Sequence, residues 1–165
     1  MKDYSTIMVG VRSSMKVSNE DLERLNKIHW SLGTHGYAYC NKTGKRFHPH
    51  RLVVEAMLGR QLLASEDVDH KNHDVLDNRR ENLRRCESWQ NQANKKILGR
   101  NSSGYKGVSQ VASSGHWRAY VGGRVSTGKQ IKIGTFHTAE EAAWAYDMWA
   151  SQIFGEFAVL NFVHH

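Results

Sequence analysis

Apolar positions in the second half of the chain change period part-way along. In Trp117–Val125 the set Trp117, Ala119, Val121 alternates with Arg118, Tyr120, Gly122, and in Gln130–Phe136 the pair Ile131, Ile133 alternates with Gln130, Lys132. A period of two sends successive side chains to opposite faces of a strand. Tyr105–Val111 is a further β-like run, and SSG at 113–115 and STG at 126–128 supply turns. The period then lengthens, because Ala142, Ala143, Tyr146, Trp149, Ala150 and Ile153 share one face of a helix. Thr138 opens that helix, and Glu141, three residues on, completes a capping box. The pattern predicts a three-stranded sheet on one helix, with small alanines allowing close approach. The other face of the sheet is left open, polar and partly basic.

The first half is less regular. Ser18 or Asn19 caps a short helix running to about Ile28. Trp30 and Tyr37–Cys40 read as strands, Asn41–Lys45 as a turn, and His50–Leu58 as a short helix. A strand at Val68–His70 leads into the polar loop Lys71–Asp77, followed by a short strand at Asn82–Arg84 and a helix from about Glu87 to Lys96. The stretch LGRNSSG at 98–104 is polar and glycine-bearing, and the patterns on its two sides differ. The expectation is an α+β chain of two small domains, 1–97 and 105–162, joined by a linker at 98–104.

Charge sharpens this picture. The net charge is +7, with an isoelectric point near 9.5. Such a balance favours a polyanionic partner, since each Lys or Arg on a phosphate releases condensed counterions. From Ser103 onward there are five basic and four acidic residues, which leaves 18 and 12 in residues 1–102. Much of the excess lies in Arg79, Arg80, Arg84, Arg85, Lys95, Lys96 and Arg100. No run of eighteen apolar residues occurs, and MKDYSTIMVGVR lacks the apolar stretch of a secretory signal. Cys40 and Cys86 lie far apart without a CxxC partner, so neither a disulfide framework nor a zinc knuckle is expected. The expected compartment is reducing and cytoplasmic.

Candidate chemistry is concentrated in VDHKNHDVLDNRRENLRRCESWQNQAN, residues 68–94. Phosphodiester hydrolysis needs a water nucleophile, a base to deprotonate it, and charge neutralisation at the leaving oxygen. A histidine suits the first proton transfer, and a hard divalent cation on carboxylate and amide oxygens suits the neutralisation. Asp69 and His70, adjacent in a strand, leave on opposite faces. An Asp-His dipeptide taken alone is most often a plain surface pair.

The order HRLV (50–53), VDH (68–70), DNRRENLR (77–84) and NQAN (91–94) resembles the HNH homing endonucleases of the His-Me finger superfamily. The resemblance spans roughly His50–Lys96 and implies a ββα-metal nuclease fold. It also implies His70 as general base, Asp69 and Asn91 as ligands of Mg2+ or another divalent cation such as Mn2+, and Asn82 as the brace of the histidine-bearing loop. Asn91 stands where other members carry His, giving an H-N-N variant. Asn94, one turn on, is a reserve ligand or a support for the ligands. Glu87 departs from the family, many members of which place a capping Thr there.

Other residues have plainer readings. His50 reads as a structural hydrogen-bonding histidine, and His73 as a loop residue within reach of a phosphate. Arg79, Arg80, Arg84 and Arg85 are either a solvated face or phosphate contacts, and Lys95 joins the candidates for the latter.

YKGVS (105–109), HWRAYV (116–121), IGTFHTAEEAAWAYD (133–147) and GEFAVLNF (155–162) resemble the APETALA2/ethylene-response-factor DNA-binding domain over nearly all of 103–162. The resemblance implies that the open sheet face lies in the major groove. Family contact positions fall on Lys106, Ser109, Val111, His116, Arg118, Tyr120, Gly122, Gln130 and Lys132. The plant domain has Arg or Trp where this chain has Ser109, Val111, Gly122, Gln130 and Lys132, so its GC-rich target does not transfer. Phosphate contact by Lys106, Arg118 and Lys132, with Gln130 reading a base, is the expectation.

Both halves together predict a phage-type, metal-dependent homing endonuclease acting on double-stranded DNA. Its partners would include no membrane and no evident protein, and it would be a monomer or weak dimer. The rival is a sequence-specific DNA-binding protein with a degenerate nuclease domain, which binds without metal-dependent cleavage. A zinc-stabilised, His-rich interaction protein is disfavoured, because Asp-Asn-Asn oxygens suit a hard cation better than zinc.

Overall fold

The computed structural model describes residues 3–95, 101–125 and 129–162, and the side chains among these except at 123–125 and 129. The expected turn at 126–128, Lys96 at the end of an expected helix, and 98–100 of the expected linker lie outside the described residues. The described chain mixes helices with small sheets, an α+β arrangement, and divides into two compact units, Met1–Ser88 and Trp89–His165.

The first unit opens with a hairpin that periodicity did not reveal. Strands β1 (Tyr4–Val9) and β2 (Ser13–Ser18) pair antiparallel around Gly10, whose φ is 60°. Ile7, Val9, Met15 and Val17 point into the core while Met8 is exposed. The consecutive apolar residues Ile7, Met8 and Val9 hide the alternation. Helix α1 (Asn19–Asn26) follows, with Ser18 at its N-cap. The Ser18 hydroxyl does not cap the helix but accepts a hydrogen bond from the Arg80 amide at 2.9 Å.

Strands β3 (Ser31–Leu32), β4 (Ala38–Lys42) and β5 (Lys45–Phe47) form a small sheet. Thr43 and Gly44 both have positive φ, 50° and 74°, as a two-residue type I′ hairpin turn requires. Helix α2 (Pro49–Leu58) begins on proline, whose missing N–H costs nothing at the first turn, and ends on left-handed Gly59. Strand β6 (Glu66–His70) pairs antiparallel with β8 (Leu83–Glu87). Between them β7 (Asp77–Asn78) pairs parallel with β2, so the end of the expected polar loop is a buried strand. Trp30, Leu25, Met15, Val53, Val54, Val68 and Leu83 fill the core.

The second unit starts with the short helix α3 (Ser88–Ala93). Strands β9 (Val108–Gln110), β10 (Trp117–Val125) and β11 (Lys129–Phe136) form an antiparallel sheet with β10 central. Strand β9 is shorter than the β-like run around it. Gly107 has φ 72°, and a Cβ there would collide with the Tyr146 ring and the Tyr120 carbonyl. Helix α4 (Ala139–Phe154) carries the capping box of Thr138 and Glu141, and its Ala142, Ala143 and Tyr146 are buried. Trp149, expected on that face, is 43% exposed. Phe154 and Asp147 are buried instead, and the Asp147 carboxylate accepts hydrogen bonds from the amides of Asn161 and Phe162.

Candidate active site and nucleic-acid interface

In the β6–β8 ladder Asp69 stands opposite Arg84, and His70 opposite Leu83. This register explains an ion pair that the sequence did not announce: Arg84 donates from Nε and Nη2 to Asp69 Oδ2, both at 2.8 Å. Asp69 and His70 leave opposite faces of the strand, yet both are buried, at 4% and 5% exposure. His70 Nε2 lies 3.4 Å from Asn78 Oδ1, a long contact, while Asn78 donates from Nδ2 towards the Leu76 carbonyl. Burial lowers the His70 pKa below its usual 6.5, against the opposing pull of Asn78 and of Asp69, Asp74 and Asp77. At neutral pH the ring is therefore in its neutral, proton-accepting form.

Loop 71–77 is held by a lattice of side-chain hydrogen bonds. Asn82 is buried in a short turn at Arg80–Asn82; its Oδ1 accepts from the Asn72 amide at 3.0 Å, and its Nδ2 donates to the Asp77 carbonyl at 2.8 Å. Asn72 in turn donates to the Asp77 carboxylate, and its Oδ1 accepts from the Asp74 amide. His73 has φ 64°, and its amide donates to the His70 carbonyl. Asn78, buried beside His70, is the residue that sequence reasoning passed over. Its signal was its place beside Asp77, one residue before the basic run.

Three aromatic rings cluster with His70. Tyr37 lies 6.0 Å from it centroid to centroid, and His50 lies 5.2 Å from it edge-on. His48 stacks on His50 at 5.2 Å, and its Nδ1 lies 3.0 Å from the Ala38 carbonyl. The Nδ1 of His50, expected to be a structural hydrogen-bonding group, is buried without a partner. Burial, then His70, His48 and Arg51, hold its pKa well below the usual value. What His50 gives the fold is ring packing. Although three imidazoles are close, no group of three or more His, Cys, Asp or Glu side chains among the described residues is arranged to hold a metal ion. The Asp69 carboxylate is an oxygen donor of the kind that suits Mg2+, which keeps most of its waters, better than zinc.

The basic run is largely engaged within the fold. Arg79 grips Asp77 from Nε and Nη2, both at 2.7 Å, and also pairs with Glu81. Arg80 binds buried Asp21 from Nε at 2.7 Å and pairs with Glu20 at 2.6 Å. Arg85 shares Glu66 with Arg60. Burial would raise the Asp77 pKa, but hydrogen bonds from Arg79 and Asn72 outweigh it and hold the carboxyl below its usual range.

In the second unit Asn91 is half-buried and Asn94 is buried at 6% exposure. Lys106 donates from Nζ to the carbonyls of Ala93 and Lys95, and burial brings its pKa down to about 8. It thereby caps the end of α3, where carbonyls lack helical partners. Arg118, Gln130 and Lys132 are exposed, and Tyr120 is half-buried opposite Lys132. Ala119 and Val121 point inward, so Arg118 and Tyr120 share the open face. His116 lies against His137 at 4.9 Å, and Lys95 is exposed.

A buried histidine and a buried carboxylate thus lie side by side on one short strand, backed by a loop that asparagines lock. Residues 47–93 match the HNH endonuclease family, and residues 103–156 match the AP2 domain. An uncharacterized HNH endonuclease of Acanthamoeba polyphaga mimivirus is 34% identical over 137 residues, covering 83% of this chain and 68% of that protein. The chain belongs to the HNH endonucleases. AP2-like ethylene-responsive transcription factors are also similar. One of Oryza sativa subsp. japonica is 48% identical over 63 residues, 38% of this chain and 10% of that protein. One of Arabidopsis thaliana is 37% identical over 98 residues, 59% of this chain and 18% of that protein. Both domains imply DNA binding.

Proposed function

We propose that this endonuclease is of the homing type and hydrolyses phosphodiester bonds in double-stranded DNA, with His70 as general base. The observation that carries the reading is the pairing of a neutral, buried His70 with Asp69 on β6, in front of a loop fixed by Asn82. His70 takes the proton of the attacking water. Asn78 Oδ1 faces its Nε2 and favours the tautomer that carries the ring proton there. Asp69 and Asn91 would hold Mg2+ or Mn2+, with Asn94 as a reserve ligand; the part of Asn91 is supported by the HNH match over 47–93. When bound, the cation neutralises charge on the leaving oxygen. Arg84 orients the Asp69 carboxylate from the opposite strand.

The unit fold is proposed to be the ββα-metal finger of the His-Me superfamily, within a nuclease domain of 1–97. A linker at 98–104 and an AP2-type reader at 105–162 complete the organisation. Arg118, Tyr120, Gln130 and Lys132 read or grip DNA from the open sheet face, and His116 and Lys95 are further DNA contacts. Arg79, Arg80, Arg84 and Lys106 reach DNA only by releasing their present partners. No helix among the described residues is long and apolar enough to cross a membrane. A cytoplasmic monomer or weak dimer is proposed.

The test is incubation with mixed genomic DNA and Mg2+, followed by mapping of the new ends. Metal-dependent cleavage lost in His70→Ala is the expected outcome. Binding without cleavage by the unaltered chain would instead favour a degenerate nuclease.

A further inference from the structure

A cluster of exposed positive charge without carboxylate partners lies away from the arginine run, on the hairpin of β4 and β5. No Asp or Glu occurs between Glu23 and Glu55. Within that acid-free stretch Lys42, Lys45 and Arg46 are all exposed, and none forms an ion pair among the described residues. Lys42 and Lys45 stand directly opposite each other across the ladder. Like charges in that position destabilise a hairpin, so the fold keeps an unfavourable pair that an anion between the two ammonium groups would relieve. Arg46 lies with its guanidinium carbon 4.4 Å from the Tyr39 ring centroid. Its charge is thereby held in place without being neutralised.

The hairpin is also rooted at the site. Tyr37 immediately precedes β4 and His48 immediately follows β5, and both are among the rings around His70 and His50. The approach of His48 Nδ1 to the Ala38 carbonyl ties the two strands at their base. Four residue steps of extended strand carry the tip roughly 13 Å from that base. The tight two-residue turn keeps the arm short and stiff.

We propose that the β4–β5 hairpin is a phosphate-gripping finger, in which Lys42, Lys45 and Arg46 hold the sugar-phosphate backbone of the duplex a few nucleotides from the bond that His70 serves. This rests on the reading of the His70 site as the place of DNA cleavage. The grip is sequence-independent, so it adds affinity and register and leaves selectivity to other groups.

The test uses the full chain, a mixed-sequence duplex and EDTA, so that binding is read without cleavage. Affinity is measured over a range of salt for Lys42→Gln/Lys45→Gln, for Arg46→Gln, and for Lys27→Gln as control. Lys27 is exposed and pairs with Glu23. Every phosphate that is no longer neutralised lowers the slope of log K against log salt by about 0.9, so the double variant should lose about 1.8 and Arg46→Gln about 0.9. The double variant should melt no lower than the parent, because it removes a repulsive pair. An unchanged slope in a folded double variant would overturn the proposal, as would an equal drop in Lys27→Gln. Failure of the nuclease reading shows separately, as cleavage that survives His70→Ala, and leaves these binding slopes untouched.

Discussion

Two basic stretches of the first unit, Arg79–Arg85 and Lys42–Arg46, look alike as sequence and behave as opposites in the fold. In Arg79–Arg85, Arg79 and Arg80 neutralise Asp77 and Asp21, both fully buried, and Arg84 meets buried Asp69. In Lys42–Arg46 the cations have no acidic neighbour along the chain and face solvent. A run of arginines beside a nuclease motif is therefore not by itself a DNA-binding surface. Removing one cation from the first stretch takes an ion-pair partner from a buried carboxylate, whereas removing one from the second takes a partner from none.

The largest expected effect concerns the chemistry that both stretches surround. His70→Ala should slow cleavage by about 10²–10⁴-fold while DNA affinity stays near the parent value, since the base acts on water. Turnover and binding measured on the same preparation check this, and near-normal turnover at neutral pH would remove His70 from its role. Next comes the engaged arginine stretch. Arg80→Ala removes one of the two arginines on buried Asp21 and leaves Arg24 as the other, so it should destabilise the fold by roughly 1–3 kcal/mol, below the loss for a fully orphaned buried charge. Denaturant unfolding reads that loss, and a change under about 0.5 kcal/mol, the usual size for a plain surface substitution, would mean that the pair is not a brace.

A pH experiment sharpens the same contrast. Hydrogen bonds from Arg60 and the Leu63 amide hold the Glu66 carboxyl at about 2, below its ordinary 4.5. A depressed carboxyl stabilises fully above 4.5, and the contribution fades as pH falls from there towards 2. Glu66→Gln should therefore flatten the fall of melting temperature in that window. Parallel melting curves for parent and variant across it would contradict this. The smallest effect is expected at His50→Phe, which keeps a ring against His70 and His48 and removes an unpartnered nitrogen. Its melting temperature should stay within a few degrees of the parent, and a collapse of the fold would show that the nitrogen has a partner in solution.

The strand–strand–strand–helix order of the second unit was legible in the chain because its alternation and its capping box are local signals. The motifs that carry the nuclease resemblance were legible for a similar reason: strand, turn and helix place their residues at fixed spacing. The hairpin Tyr4–Ser18 was not, since three consecutive apolar residues at Ile7–Val9 conceal which side faces inward. Trp149 was misplaced because a helical stripe wide enough to include it leaves one edge in solvent.

By itself the sequence determined the α+β class, the Asp69–His70 pair with Asn82 behind it, and the second unit's alternating face. All of these depend on residues near one another along the chain. Only the tertiary structure decided which charges remain free. Arg80 finds Asp21 across 59 positions, and Arg84 finds Asp69 across 15. Lys42 and Lys45 are left facing each other across the hairpin ladder. Pairing depends on which strands lie side by side, and strand pairing is a long-range choice that charge patterning along the chain does not encode.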